Sequence, residues 1–190
     1  SGGARPFGNP AVDGGLGAFA RLGATHAKRV TCMATCLTRP LLATGAKDET
    51  VRVWDYSRWR GGGEAVLSGD ATGDGAPACL SLHPAGTSLV VGFERRVRLL
   101  SVLAAELLPL REVPISHATA VCFSQGGHFF AVGAGSSVTL HDALSGAELQ
   151  SYQGHTGTVT SVSFGASDLE LFSSGTDGAV CGWDLTTGKP

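Results

Sequence analysis

The chain has 190 residues, a formal net charge of −2, 43% hydrophobic residues and only 16% charged ones. That length can bury a sizeable core as one domain. The near-neutral balance supplies no basic footprint for nucleic acid and no acidic tail. Glycine supplies 28 residues, roughly twice ordinary usage, which suits many tight turns and argues against long helices.

Residues 1–20 are rich in Gly and Pro and read as a lead-in or loop. No signal peptide opens the chain, and no apolar run reaches the roughly 18 residues needed to span a bilayer. The start Ser-Gly-Gly suits a piece of something longer. From Arg21 the chain reads as four repeats, at about 21–67, 68–113, 114–152 and 153–190.

The first repeat predicts strands at Val30–Cys36, Leu41–Gly45 and Thr50–Trp54, with Lys47-Asp48-Glu49 as a turn. In the third of these, Val51 and Val53 alternate with Thr50, Arg52 and Trp54. A Gly-rich loop then leads to an outer strand at Glu64–Leu67. The second repeat predicts strands at Pro77–Leu82, Leu89–Phe93 and Val97–Leu100, with His83–Gly86 as a turn. Leu99–Leu110 is ambiguous, because Leu, Ala and Glu also favour helix. The repeat phase favours strand, short turn, strand over a short helix. The third repeat predicts Thr119–Phe123, Phe129–Val132, Val138–His141 and an outer strand at Ala147–Tyr152. Gly154–Phe164 opens the fourth, and Leu169–Asp184 carries two more strands.

Two polar sets match across the chain. His26, Thr44, Asp48 and Trp54 form the first; His155, Ser173, Asp177 and Trp183 form the second. In both, the hydroxyl residue lies 18 positions after the His, the Asp 22 after it, and the Trp six after the Asp. The sets stand 129 residues apart, three steps of 43. A period of about 40–45 residues closing on Trp-Asp is the signature of a WD repeat, one blade of a β-propeller. The expected fold is therefore all-β: about four blades of a WD40 propeller, part of a larger ring of the seven-bladed type.

The middle repeats are degenerate. Leu100 and His141 stand at the Trp position, Glu94 replaces the turn Asp of the second repeat, and its Gly-His is missing. In this family the resemblance implies a hydrogen-bonded chain from Trp indole to hydroxyl, His and Asp. A buried indole, imidazole and carboxylate each need partners, and together they satisfy one another.

The sharper reading makes Ser173, His155 and Asp177 a hydrolase triad. It is disfavoured, because the set occurs twice beside a matching Trp and no G-x-S-x-G elbow accompanies it. Gly133–Val138 begins like a phosphate loop but lacks the final Gly and a following helix. His83 reads as a turn residue, and Arg95-Arg96 as a solvated turn. Cys32 and Cys36 complete no zinc spacing, and the five cysteines read as reduced, buried, small hydrophobes of an intracellular protein. No catalytic residue, cofactor or metal is expected. The better interaction candidates are the exposed aromatics Tyr56 and Trp59 beside Arg58 and Arg60, since interfaces favour Trp, Tyr and Arg.

The degenerate repeats carry the more specific likeness. Ser81–Phe93, Arg95–Leu103, Arg111–Ser116 and Phe123–Val132, followed by Gly154–Phe164 and Ser173–Lys189, resemble the WD-repeat proteins of the motile ciliary axoneme. That resemblance implies a non-enzymatic scaffold of the cytoskeleton, with propellers ahead of a long coiled coil. It also implies partners among inner dynein arm components, doublet-associated proteins and other axonemal WD-repeat subunits. No nucleic acid, membrane or small-molecule substrate is expected. The alternative is a generic WD40 adaptor such as a ubiquitin-ligase substrate receptor. Those present W-D-x-R, whereas Trp54-Asp55-Tyr56-Ser57 and Trp183-Asp184-Leu185-Thr186 lack the Arg.

Overall fold

The computed structural model describes residues 26–57, 65–70, 74–102 and 106–187. The lead-in at 1–20 and Glu64 of the first predicted outer strand lie outside them. Fifteen strands and no helix occur among the described residues. They form four antiparallel sheets, each a simple meander.

The first sheet comprises β1 (Val30–Thr35), β2 (Leu41–Ala46), β3 (Thr50–Asp55) and β4 (Ala65–Asp70). The second holds β5 (Cys79–Leu82), β6 (Ser88–Gly92), β7 (Val97–Val102) and β8 (Leu107–Val113). The third holds β9 (Ala118–Phe123), β10 (Phe129–Ala134), β11 (Ser137–Asp142) and β12 (Glu148–Gln153). The fourth holds β13 (Val159–Phe164), β14 (Glu170–Gly175) and β15 (Val180–Asp184). In the ambiguous stretch at Leu99–Leu110 the described residues form β7 and β8, paired from Val97↔Val113 to Val102↔Leu107, and the expected short turn at 103–105 lies outside the described residues. Cross-strand pairing overrides the helix propensity of its leucines. Strand β4 runs three residues beyond the predicted Leu67.

The four sheets stack in chain order, with the first strands side by side: β1 against β5, β5 against β9, β9 against β13. This is the fan of propeller blades, and it does not close into a ring.

Core lies between blades, which is why their strands are apolar on both faces. Ala43, Val51 and Val53 of the first blade pack against Leu80, Leu89, Val91 and Phe93 of the second. Val90, Val97 and Leu99 pack against Val121, Phe123, Phe130 and Val132 of the third. Ala131, Val138 and Leu140 pack against Val162, Phe164, Leu171 and Trp183 of the fourth. Burying such side chains contributes about 1.5–3 kcal/mol each before chain entropy is counted. Cys36 and Cys79 are buried, but Cys32, Cys122 and Cys181 are only half-buried, and all five are free thiols. The three half-buried thiols correct the expectation of full burial. Cys32, Cys122 and Cys181 all flank the inter-blade clusters rather than fill them.

Candidate functional site

The two polar sets occupy the outer blades. In the fourth, Ser173 sits mid-strand on β14 and Trp183 near the end of β15. His155 lies in the loop before β13, and Asp177 in the tight β14–β15 turn. His155 Nδ1 lies 3.0 Å from Asp177 Oδ2, and His155 Nε2 lies 2.9 Å from Ser173 Oγ. The Trp183 indole N–H donates to the same Oγ at 2.9 Å. A carboxylate can only accept, so it fixes Nδ1 as the protonated nitrogen and leaves Nε2 to accept the serine proton. Every polar atom in the chain of contacts is then used.

The first blade repeats the arrangement. His26 Nε2 and the Trp54 indole both lie 2.8 Å from Thr44 Oγ1, and His26 Nδ1 lies 3.2 Å from Asp48 Oδ2. Asp48 also accepts the Ala27 N–H at 2.8 Å and the Thr50 hydroxyl at 2.8 Å. Burial pushes the Asp48 carboxyl up, but these donors and His26 outweigh it and hold the group at about 2. At Asp177 the Ala179 and Thr156 N–H groups, then His155, hold the carboxyl well below the usual range against a smaller effect of burial. Ser173 is only 2% exposed, and its oxygen accepts the indole N–H.

The middle blades solve the same problem with other residues. In the second, Asp74, in the loop ahead of β5, is buried between two guanidiniums. Arg98 Nη2 lies 2.6 Å from one carboxylate oxygen, and Arg96 Nε 2.8 Å from the other. Glu112 on β8 then accepts from Arg96 at 2.6 Å and from Arg98 at 3.1 Å. The solvated turn expected at Arg95-Arg96 is corrected for Arg96, which is one of four charges in a network, while Arg95 is exposed. Sequence reading missed Asp74, Arg98 and Glu112. The available signal was Asp74-Gly75 standing in the loop that carries the His in the first and fourth repeats, with Arg96 just before β7 and Arg98 on it.

In the third blade His141 holds the Trp position. It stacks on Phe130 at 5.1 Å between centroids, and its Nε2 lies 2.9 Å from Thr139 Oγ1. Burial pushes its pKa down.

The strand-one-to-strand-two turns form a second line of contacts across blades. Thr38 Oγ1 donates to Pro84 O at 2.7 Å. The His83 ring lies edge-on to Phe123 at 5.2 Å and covers Gly127 of the third blade. Asp168 accepts the Gln125 and Gly126 N–H groups, each at 2.6 Å.

The proposed interaction cluster fares differently. Tyr56 is half-buried rather than exposed, and just past the end of β3 its backbone N–H is tied to Pro40 O at 2.9 Å. Arg58, Trp59 and Arg60 lie outside the described residues. Among the described residues no group of three His, Cys, Asp or Glu could hold a metal ion.

Known proteins share this pattern. The family described as "WD domain, G-beta repeat" matches residues 21–55 and 146–184, the two stretches carrying the complete polar sets. Mouse cilia- and flagella-associated protein 57 is 34% identical over 86% of this chain, which spans 13% of that relative's length. Cilia- and flagella-associated protein 57 A of Tetrahymena thermophila is 26% identical over 87% of the chain, which spans 12% of it. The serine-threonine kinase receptor-associated protein of Rattus norvegicus is 30% identical over 76% of the chain, which spans 39% of it. The chain is a WD40-repeat segment of four propeller blades, similar along most of its length to cilia- and flagella-associated protein 57.

Proposed function

We propose that this chain is part of a non-enzymatic, protein-binding scaffold of the motile ciliary or flagellar axoneme. There it helps to dock or regulate inner dynein arms on doublet microtubules. The observation that carries the reading is the likeness to proteins named for cilia and flagella in both a mouse and a ciliate, over 86% and 87% of the chain. That span includes both degenerate blades, where general repeat pattern contributes least.

The polar sets act in this reading as internal bracing of the blades. A hydroxyl that is 2% exposed and already bonded to an indole suits a structural tie. The partners are proteins, met on the faces and rim of the propeller. The fractionation of isolated axonemes tests the proposal. The full-length protein is expected in the doublet fraction, with inner-arm dyneins reduced when it is removed. A purely cytosolic pool sinks it.

A second reading, a general WD40 adaptor such as a ubiquitin-ligase substrate receptor, draws support from the 30% identity to the receptor-associated protein. Its distinguishing outcome is stable capture with ligase subunits and no doublet association.

A further inference from the structure

The large apolar side chains that lie exposed fall into two groups. Val30, Met33 and Leu37 belong to the first blade, and Leu169, Phe172 and Val180 to the fourth. Those two blades end the fan, so each has a face without a neighbour. Leu108, Leu110, Leu144 and Leu149 belong instead to the second and third blades, which have a neighbour on both sides. The ends of the fan do not account for them.

The pairing of the outer strands does. Strands β8 and β12 are the last of their sheets, each with one edge open. Leu99 pairs with Arg111 and Leu100 with Pro109, so Leu110 is an extra residue. Leu140 pairs with Gln150 and His141 with Glu148, so Leu149 is the extra residue at the matching place. Such a bulge leaves one residue unpaired and re-aims its side chain. Leu110 is 45% exposed and Leu149 51%. Leu144, 86% exposed, lies in the turn that leads into β12. That turn rests on β8, because a Cβ on Gly146 would lie 3.6 Å from both Arg111 and Val113. The four leucines thus share one stretch of rim across two blades.

Charge and edge chemistry narrow the occupant. Glu106 directly precedes β8, and Glu148 opens β12. Both are exposed, and neither has a hydrogen bond or ion pair among the described residues. Asp142 adds a third carboxylate at the start of the Leu144 turn. Glu112 is neutralised by Arg96 and Arg98. The cation beside them, Arg111, turns its Nη1 onto the Leu110 carbonyl at 2.9 Å. The rim is therefore acidic around an apolar centre, which repels an anionic lipid surface. An added strand fits poorly as well. Pro109 has no N–H to offer, Arg111 occupies the Leu110 carbonyl, and both outer strands bulge. A helix needs no free backbone groups, since it docks through side chains alone.

We propose that this rim docks an amphipathic helix of a protein partner, apolar on its inner face and lined with Lys or Arg along its flanks. The leucines supply the apolar contact, and Glu106 and Glu148 select the basic flanks. A second copy of this chain does not supply that helix from its described residues, which hold none. The inference deepens the protein-binding part of the proposed function and rests on it, not on the ciliary location.

The test uses the full-length protein and two labelled helical peptides of about 15 residues. Both carry Leu at i, i+3, i+4 and i+7; one has Lys at the remaining positions and the other Glu. Fluorescence anisotropy is expected to show binding of the Lys peptide and not of the Glu peptide. Leu110→Ser with Leu149→Ser weakens that binding roughly tenfold. Glu106→Lys with Glu148→Lys, which leaves the leucines in place, reverses the preference between the peptides. Equal binding of both peptides, or Lys-peptide binding that neither pair of substitutions alters, overturns the inference. So does self-association in sedimentation that the Leu110→Ser, Leu149→Ser protein loses, or binding to phosphatidylserine vesicles that it loses. A negative axonemal fractionation leaves a positive peptide result standing. A negative peptide result with doublet association intact removes the rim site and not the scaffold.

Discussion

Arg98 meets Asp74 at 2.6 Å in the second blade, so an arginine–carboxylate pair stands in the blade that has lost its histidine. Asp74 is 3% exposed, and Arg98 also lies over the Phe93 ring at 5.9 Å. Breaking a buried pair by removing one member leaves the other charge uncompensated. Asp74→Ala is expected to cost about 3 kcal/mol in urea denaturation. Arg96, whose side chain is 38% exposed, matters less, so Arg96→Ala should be clearly milder than Arg98→Ala. Equal effects would show that the network does not centre on Asp74.

The hydroxyl is the hinge of each polar set, because it takes both the indole and the imidazole. Ser173→Ala strands a buried N–H and a buried ring nitrogen together and is expected to cost about 2–3 kcal/mol. Thr44→Ala should behave alike in the first blade, while Thr44→Ser restores stability because only the methyl is lost. Thermal unfolding of the three variants checks this. A Ser173→Ala protein with unchanged stability would revive the catalytic interpretation of the set.

The blades were readable because two of them keep the full spacing of His, hydroxyl, Asp and Trp, and because strands buried on both faces are apolar on both faces. Val51 and Val53 fall on the face toward the second blade as their alternation indicates. What replaced the pattern in the middle was not readable. Asp74 lies 24 residues before Arg98 in a Gly-rich loop, and no local periodicity marks a carboxylate as buried. Tyr56 looked like a surface aromatic because its neighbours are polar. Its backbone tie to Pro40, fixed by a hairpin 16 residues away, is a tertiary fact.

Acid should weaken this fold in two stages. Burial pushes the pKa of both His83 and His141 down, so the unfolded chain binds protons that the folded chain refuses once pH drops below about 6.5. Stability therefore falls with pH from that point. Asp48, held at about 2, and Asp177, also depressed, act next. Both are ionised in both states at neutral pH, so their contribution is fully present there. It is lost as pH falls below the unfolded value of about 4 toward the folded values. Urea midpoints at pH 7.5, 6, 5, 4 and 3 should fall gently at first and steeply below 4. Asp48→Asn should flatten the second stage and leave the first. A profile level down to pH 3 contradicts the assignment.

The turn contact between His83 and Gly127 offers a cleaner separation of effects. Gly127 has φ of +76°, a conformation that L side chains rarely adopt, and a Cβ there would overlap the His83 ring. Gly127→Ala therefore incurs two costs, backbone strain of about 1 kcal/mol and a collision with the neighbouring blade. His83→Ala alone removes the edge contact with Phe123 and the Ala85 N–H bond at 3.0 Å, a modest loss. In the double variant the collision is gone but the strain remains. The double variant should then be more stable than the sum of the singles implies, by about 1–2 kcal/mol of coupling. Additive effects would mean that the His83 ring moves aside freely and that the two blades are not locked at this turn.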